Sequence, residues 1–204
     1  NSFFVLVDDL GFGDVGFNRD EPDAEVRTPN MDALAKDGVI LTRHYVHRYC
    51  TPTRSSYISG RLPVHVQTSL ANPEDSNCGI PMNMTGLGTV MKKANYSTAF
   101  VGKWDAGMAT HEHTPLGRGF DESLVYFEHK NSFWTQRLYQ SKCQTYDPQI
   151  VDLWTTSDGS DGPAYGLNGT AYEEYMFRDR IMSILDKHDV SKPLFLTYTP
   201  HVAH

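Results

Sequence analysis

No run of apolar residues in this 204-residue sequence approaches the ~20 needed to cross a bilayer, so a helical membrane span is not expected. An excess of basic residues is also missing. Eighteen Lys and Arg face 25 Asp and Glu, a formal net charge of −7 that argues against a nucleic-acid or anionic-membrane binder. An anionic small molecule stays open as substrate, because a local cluster of cations outweighs the global sign. Low-complexity tracts and internal repeats are absent. There is no initiating methionine and no signal peptide; the chain enters an apolar segment directly after Asn1, which reads as a processed end or a cut. It stops at His204, after a strand-like run and with no closing element, which reads as a piece of a longer protein. Cysteine is scarce, limited to Cys50, Cys78 and Cys143.

The patterning is that of an α/β protein. Phe3-Phe4-Val5-Leu6-Val7 is a short continuous apolar run, expected as a parallel strand buried on both faces. Residues 28–38 carry helix signals at both ends: Thr28 as N-cap, Pro29 at the first position and Gly38 just past the end. Residues 39–46 look extended. Residues 62–84 are rich in Pro, Asn and Ser and read as loop. Thr85 is the expected cap of an amphipathic helix with Leu87, Val90, Met91 and Ala94 on one face. Strands are expected over 97–101 and 193–199, a helix over 171–188, and long loops over 105–169. Strands alternating with helices predict a largely parallel mixed sheet flanked by helices. In such folds ligands gather at the carboxyl ends of the strands.

Polar residues fall at those ends. Asp8 and Asp9 follow the first strand, and two adjacent carboxylates there suit a hard divalent cation, although a solvated turn is an equal reading of the pair alone. Lys103 follows a second strand, and His201 and His204 follow the last. The densest signal is the run Cys50-Thr51-Pro52-Thr53-Arg54-Ser55-Ser56-Tyr57-Ile58-Ser59-Gly60-Arg61. Pro52 fits a first helical turn, which places Cys50 at or just before a helix N-terminus, where unpaired amides favour an anion. Arg54 lies one turn on and can face the same anion. A lone cysteine near a helix start is more often a buried small hydrophobe; the full run carries the functional reading.

That run closely resembles the signature of the type I, formylglycine-dependent sulfatases, with Ser59 where many relatives carry threonine. The segment Val5-Leu6-Val7-Asp8-Asp9-Leu10-Gly11-Phe12-Gly13-Asp14 resembles the N-terminal strand and metal loop of that family. Gly102-Lys103-Trp104, Gly117-Arg118-Gly119-Phe120-Asp121 and the stretch from Pro193 to His204 resemble its later blocks. The resemblance covers essentially the whole chain but only the N-terminal part of a sulfatase catalytic domain, in the fold of the alkaline-phosphatase superfamily. It implies an arylsulfatase-like sulfuric ester hydrolase. Cys50 would be converted to formylglycine by a formylglycine-generating enzyme, and its hydrate would attack sulfur. Asp8, Asp9 and the position-50 side chain would bind Ca²⁺, or Mg²⁺ in its place. Arg54 would stabilise the hydrate, while Lys103 and His204, with His201 and Asp105 nearby, would contact the substrate. The Asp-Asn pair and second lysine that complete the family's site would fall after His204.

One position departs from the pattern. Residue 105 is Asp, where most relatives carry a histidine, and His111 and His113 are the expected replacements for its imidazole. Three sequons, at Asn83, Asn95 and Asn168, point to the secretory route and an extracellular or lysosomal destination. With Cys50 consumed, Cys78 and Cys143 are free to pair there. The substrate class expected is a sulfated small molecule or glycan. Two other readings stay open: a phosphonate or phosphodiester hydrolase of the same superfamily, and a truncated chain that binds anions or glycans without turnover.

Overall fold

The computed structural model of the chain describes residues 1–20, 25–69, 75, 78–138 and 150–204. Six strands form one sheet: β1 (Ser2–Val5), β2 (Ser97–Lys103), β3 (Glu122–Tyr126), β4 (Trp154–Ser157), β5 (Ser160–Pro163) and β6 (Leu194–Thr199). Their spatial order is β1-β6-β2-β3-β4-β5. The first four in that order run parallel, and β4 and β5 add an antiparallel hairpin at the far edge. Four α-helices accompany them: α1 (Pro29–Asp37), α2 (Cys50–Ser59), α3 (Leu87–Lys93) and α4 (Glu173–Lys187). The mixed, largely parallel sheet flanked by helices is the architecture expected from the patterning.

Alternation along the central strands builds the two faces. Ala99, Val101, Leu124, Tyr126, Leu194 and Leu196 pack toward α4, meeting Met176, Phe177, Ile181 and Ile184. Phe100, Val125 and Phe195 point the other way, into a cluster with Ile58 of α2, Trp104 and Phe120. Burial on both faces explains why β2 and β6 read as near-continuous apolar runs rather than alternating ones.

The structure corrects several expectations. β1 is parallel but is an edge strand, and Phe3 and Val5 are exposed at 59% and 46%. Only Phe4 is engaged, its ring stacked on Tyr57 at 4.1 Å, because α4 does not reach across to the face that Phe3 and Val5 occupy. Residues 39–46 join no strand, and Val39, Leu41, Tyr45 and Val46 are exposed. α3 starts at Leu87 with Gly86 in the N-cap position, and Thr85 does not cap it. Its packed face is Leu87, Gly88 and Met91, whereas Val90 faces solvent at 49% exposure. The long loop expected over 105–169 contains β3, β4 and β5; β4 and β5 are only four residues each and rich in Thr, Ser and Gly, so periodicity gave no signal for them. Cys143, the expected partner of Cys78, lies outside the described residues.

The parallel strands β1, β6, β2 and β3 all deliver their carboxyl ends to one edge of the sheet. Gly102 makes the approach of β2 and β6 there close enough. Its φ is +107°, and a Cβ at that position would lie 1.9 Å from the Thr199 carbonyl oxygen. Gly102→Ala is therefore expected to cost about 1–3 kcal/mol from backbone strain, with the clash against β6 added. Gly166→Ala, in open space with no positive φ, is the control expected to change little. Urea midpoints of the two variants check this; equal midpoints would mean that β2 and β6 tolerate a wider spacing.

Candidate active site

Cys50 occupies the first position of α2, after Tyr49 as N-cap. Pro52 lies in the first turn, where a missing N–H breaks no helical bond. The helix ends at Gly60, which takes the left-handed conformation (φ 66°) and donates its N–H to the Ser56 carbonyl at 2.8 Å. A full turn after Cys50, Arg54 is 2% exposed and donates to the Lys103 carbonyl oxygen at 2.6 Å. The Thr199 hydroxyl donates to the same carbonyl at 2.7 Å. α2 is thereby fixed against the carboxyl ends of β2 and β6.

Asp8 is the point on which the site converges. Its carboxylate receives the Lys103 ammonium at 2.6 Å on one oxygen and Arg54 at 3.2 Å on the other, and the Cys50 thiol lies 3.4 Å from the second oxygen. Cys50 and Arg54 come from α2 and Lys103 from the end of β2. Burial works to raise the Asp8 pKa, but the Arg54 and Lys103 cations together outweigh it and hold the group at about 2. Cys50 moves the other way: burial, reinforced by Asp8 and Asp105, raises its pKa against the pull of Lys103. An unmodified thiol here is thus a poor nucleophile near neutral pH.

Asp9 is held in the left-handed region at φ 53°, a conformation that Asp tolerates better than most residues. Its carboxylate, 62% exposed, lies 3.7 Å from the His204 imidazole. Ligand atoms of Asp8, Asp9 and Cys50 lie within 4.8 Å of one another. Two carboxylates at that spacing suit a hard divalent cation; sulfur does not, and conversion of the thiol to an oxygen-bearing group would make the donor set uniform. The residues therefore fit Ca²⁺ or Mg²⁺ best once position 50 carries oxygen.

Asp105 is fully buried, at φ 44°, accepting from the Thr51 hydroxyl at 2.9 Å and lying 3.8 Å from the Lys103 ammonium. Its other contact is His129, whose Nδ1 is 3.1 Å from an Asp105 oxygen. The expected replacements for an imidazole are elsewhere: His111 bonds Asp161, and His113 bonds the Thr110 hydroxyl. His129 sits three residues beyond β3, a strand that its sequence did not announce, so its arrival at the site was not legible.

The two histidines after β6 separate. His204 is partly exposed beside Asp9. His201 is 1% exposed, its ring stacked on Phe133 at 3.9 Å and its Nδ1 2.8 Å from Glu173 of α4. Burial lowers the His201 pKa to about 4 and raises that of Glu173 to about 8, so near neutral pH both are uncharged and share one hydrogen bond. His201 thus stands behind the site and ties the end of β6 to α4.

Of the eight residues singled out in the sequence, Asp8, Asp9, Cys50, Arg54, Lys103, Asp105 and His204 are joined by one chain of contacts; His201 is buried against Phe133 and Glu173 instead. A separate groove of about 290 Å³ lies at the opposite end of the sheet, beside Thr98, Asp121, Glu122 and Arg180, away from these groups.

Comparison with known proteins points to one family and one fold. The sulfatase family model matches residues 1–204. Arylsulfatase J of Mus musculus is 34% identical over 203 residues, covering 98% of this chain and 32% of its own length. Steryl-sulfatase of Homo sapiens is 37% identical over 133 residues, 59% of this chain and 22% of its own. Among solved structures, Ps i-CgsB in complex with k-i-k-neocarrahexaose superposes with a TM-score of 0.79 at 27% identity, over 99% of this chain and 45% of that one. The PsFucS1 sulfatase from Pseudoalteromonas sp. gives 0.73 at 27% identity, over 99% and 44%. The chain spans about a third of the length of the curated relative it matches end to end.

Lys103→Met removes one of two cations from a buried carboxylate. It is expected to destabilise the protein by about 3 kcal/mol, in the range for breaking a buried pair. The sign of the pH effect follows from the depressed Asp8 pKa. Its stabilisation is present above the ordinary carboxylate value and is lost as pH falls toward 2. Urea titrations between pH 5 and 2 should show a shallower acid limb in Lys103→Met than in the parent; parallel limbs would remove Lys103 as the group that depresses Asp8.

Proposed function

The chain belongs to the sulfatase family, and on that premise we propose that it supplies the nucleophile-bearing, N-terminal part of the catalytic domain of a sulfuric ester hydrolase, arylsulfatase-like in its chemistry. The observation that carries the reading is the placement of Cys50 at the start of α2, beside an Asp8 carboxylate clamped by Arg54 and Lys103. The raised pKa of the Cys50 thiol argues against the thiol itself as nucleophile, and family membership supports its conversion to formylglycine by a formylglycine-generating enzyme. When present, the hydrate of formylglycine supplies a hydroxyl nucleophile with a second hydroxyl for release, and Ca²⁺ or Mg²⁺ held by Asp8 and Asp9 polarises a sulfate oxygen.

The chain's own residues do the rest. Lys103 keeps Asp8 ionised and offers its ammonium to the sulfate of the bound ester. Arg54 holds the far side of Asp8 and fixes β2 against α2 through the Lys103 carbonyl. His204, at the rim beside Asp9, is placed to bond a sulfate oxygen or to protonate the leaving alcohol. Burial and Lys103 lower its pKa, which favours the neutral ring and hence the role of bonding a sulfate oxygen. Substrates proposed are sulfate esters of small aryl alcohols or of sugars; relatives include a steryl-sulfatase and an N-acetylgalactosamine-6-sulfatase. Asn83 and Asn95 are exposed and Asn168 half-buried, which supports glycosylation and a secreted or lysosomal protein. Among the described residues no helix is long and apolar enough to cross a membrane.

The test uses the full-length protein co-produced with a formylglycine-generating enzyme and assayed on 4-nitrophenyl sulfate, 4-nitrophenyl phosphate and bis(4-nitrophenyl) phosphate. Sulfate turnover should dominate, be lost on chelation and return with Ca²⁺ or Mg²⁺. Cys50→Ala should lower it at least about 10³-fold. The tryptic peptide Tyr49–Arg54 should carry the mass of formylglycine in place of cysteine. Dominant phosphate ester cleavage, or full activity with an intact Cys50 thiol, would sink the proposal.

A further inference from the structure

The turn that carries His204 is held by α4. The ladders of β6 stop at Tyr198 with β1 and at Thr199 with β2. Past that point the backbone donors go to the start of α4. The N–H groups of His201 and Val202 both donate to Glu174 Oε1, the second at 3.2 Å, and the Tyr198 hydroxyl donates to Glu174 Oε2 at 2.6 Å. One carboxylate thus grips the chain on both sides of the strand end. Burial and that carboxylate push the Tyr198 pKa up, so the hydroxyl stays protonated and remains the donor. The neighbouring Glu173 lies 2.8 Å from His201 Nδ1 and accepts the Asn131 amide, also at 2.8 Å. The turn closes with the His204 N–H on the His201 carbonyl at 3.1 Å, and the His204 imidazole lies 3.7 Å from Asp9.

Both glutamates occupy the first turn of α4, after Tyr172 as N-cap. Negative side chains are favoured there by the free amides and the dipole of the helix. Further along α4, Phe177 and Ile181 pack on Val101, Tyr126 and Leu196. The grip therefore refers the turn to the same core that places Lys103 at the end of β2. His204 keeps 25% side-chain exposure at the rim. A ring that must meet a ligand oxygen to within about 0.5 Å needs its backbone fixed by neighbours.

We propose that Glu174 is the positioning residue for His204, acting through the turn 201–204, with Glu173 steadying that turn through the His201 ring. The proposal rests on the sulfatase reading above, in which His204 bonds a sulfate oxygen. Glu174 acts at one remove: it fixes where the backbone that carries His204 leaves β6.

Three substitutions separate geometry from charge. Glu174→Gln keeps an acceptor oxygen for the two N–H groups. Glu174→Asp keeps the charge but falls one methylene short, and Glu174→Ala keeps neither. In the full-length protein co-produced with a formylglycine-generating enzyme, Glu174→Ala and Glu174→Asp should each lower kcat/KM for 4-nitrophenyl sulfate about 10-fold or more. Glu174→Gln should recover most of that loss. His204→Ala should cost about 10²-fold, the usual worth of one oxyanion donor. In the His204→Ala background, Glu174→Ala should then add less than about threefold, because nothing is left to position. A fully additive loss would assign Glu174 to the fold in general. A Glu174→Asp that keeps activity while Glu174→Gln loses it would assign it to charge. A His204→Ala within about threefold of the parent would leave no residue to position. Each of these three outcomes overturns the proposal.

Hydrogen exchange reads the grip without turnover. A peptide covering residues 198–204 should exchange at least about tenfold faster in Glu174→Ala than in the parent, with Glu174→Gln close to the parent. Equal rates in the parent and Glu174→Ala would overturn the proposal whatever the activity. A parent without sulfate ester turnover would overturn the sulfatase reading instead, and the exchange rates would still decide whether Glu174 holds the turn.

Discussion

Everything at the site hangs on the Asp8 carboxylate. Residues 8, 54 and 103 belong to three distant segments, and the ion pairs among them hold the carboxyl ends of β1 and β2 and the start of α2 in register. Such a buried arrangement is rarely a net source of stability, because desolvating three charges offsets most of their attraction. Its value lies in definition. With both oxygens engaged, Asp8 has one orientation, and the Cys50 side chain lies against it at 3.4 Å. The Lys103 carbonyl, shared by Arg54 and Thr199, extends the same constraint to β6 through the backbone.

How legible this was depended on the kind of signal. Asp8, Cys50, Arg54 and Lys103 each sat beside a strong local cue: an apolar run, a proline in the first turn of a helix, a strand ending in Gly-Lys. Parallel topology then carried those cues to a common edge, as it does for any set of residues following parallel strands. α1 and α2 were readable because their end signals are chemical, Thr28, Pro29 and Pro52 among them. β1 was half-readable. Its apolar residues marked a strand, yet periodicity alone could not tell a strand covered on both sides from one lying at the edge.

The failures share one cause. β3, β4 and β5 are short and mixed in character, and their pairing is decided by tertiary contact: Ser123 with Thr156, and the Trp154 indole on Asp161. Once β3 was missed, the segment after it read as featureless loop, and His129 within it had no reason to stand out from eight other histidines. His111 and His113 were favoured because they lie near Asp105 in sequence. Distance along the chain is a poor guide here: 24 residues separate Asp105 from the imidazole that it holds. A similar point applies to His201. The resemblance favoured His204, with His201 as its neighbour, and only the approach of Glu173 from α4 shows that His201 is the buried one of the two.

The charge balance of the site bears on whether it suits an anion. Asp8, Asp9 and Asp105 carry three negative charges against the two fixed positive charges of Arg54 and Lys103; the imidazoles count only when protonated. Left so, the cluster carries one net negative charge and disfavours an anion. A divalent cation between Asp8 and Asp9 reverses the sign and leaves a single positive charge.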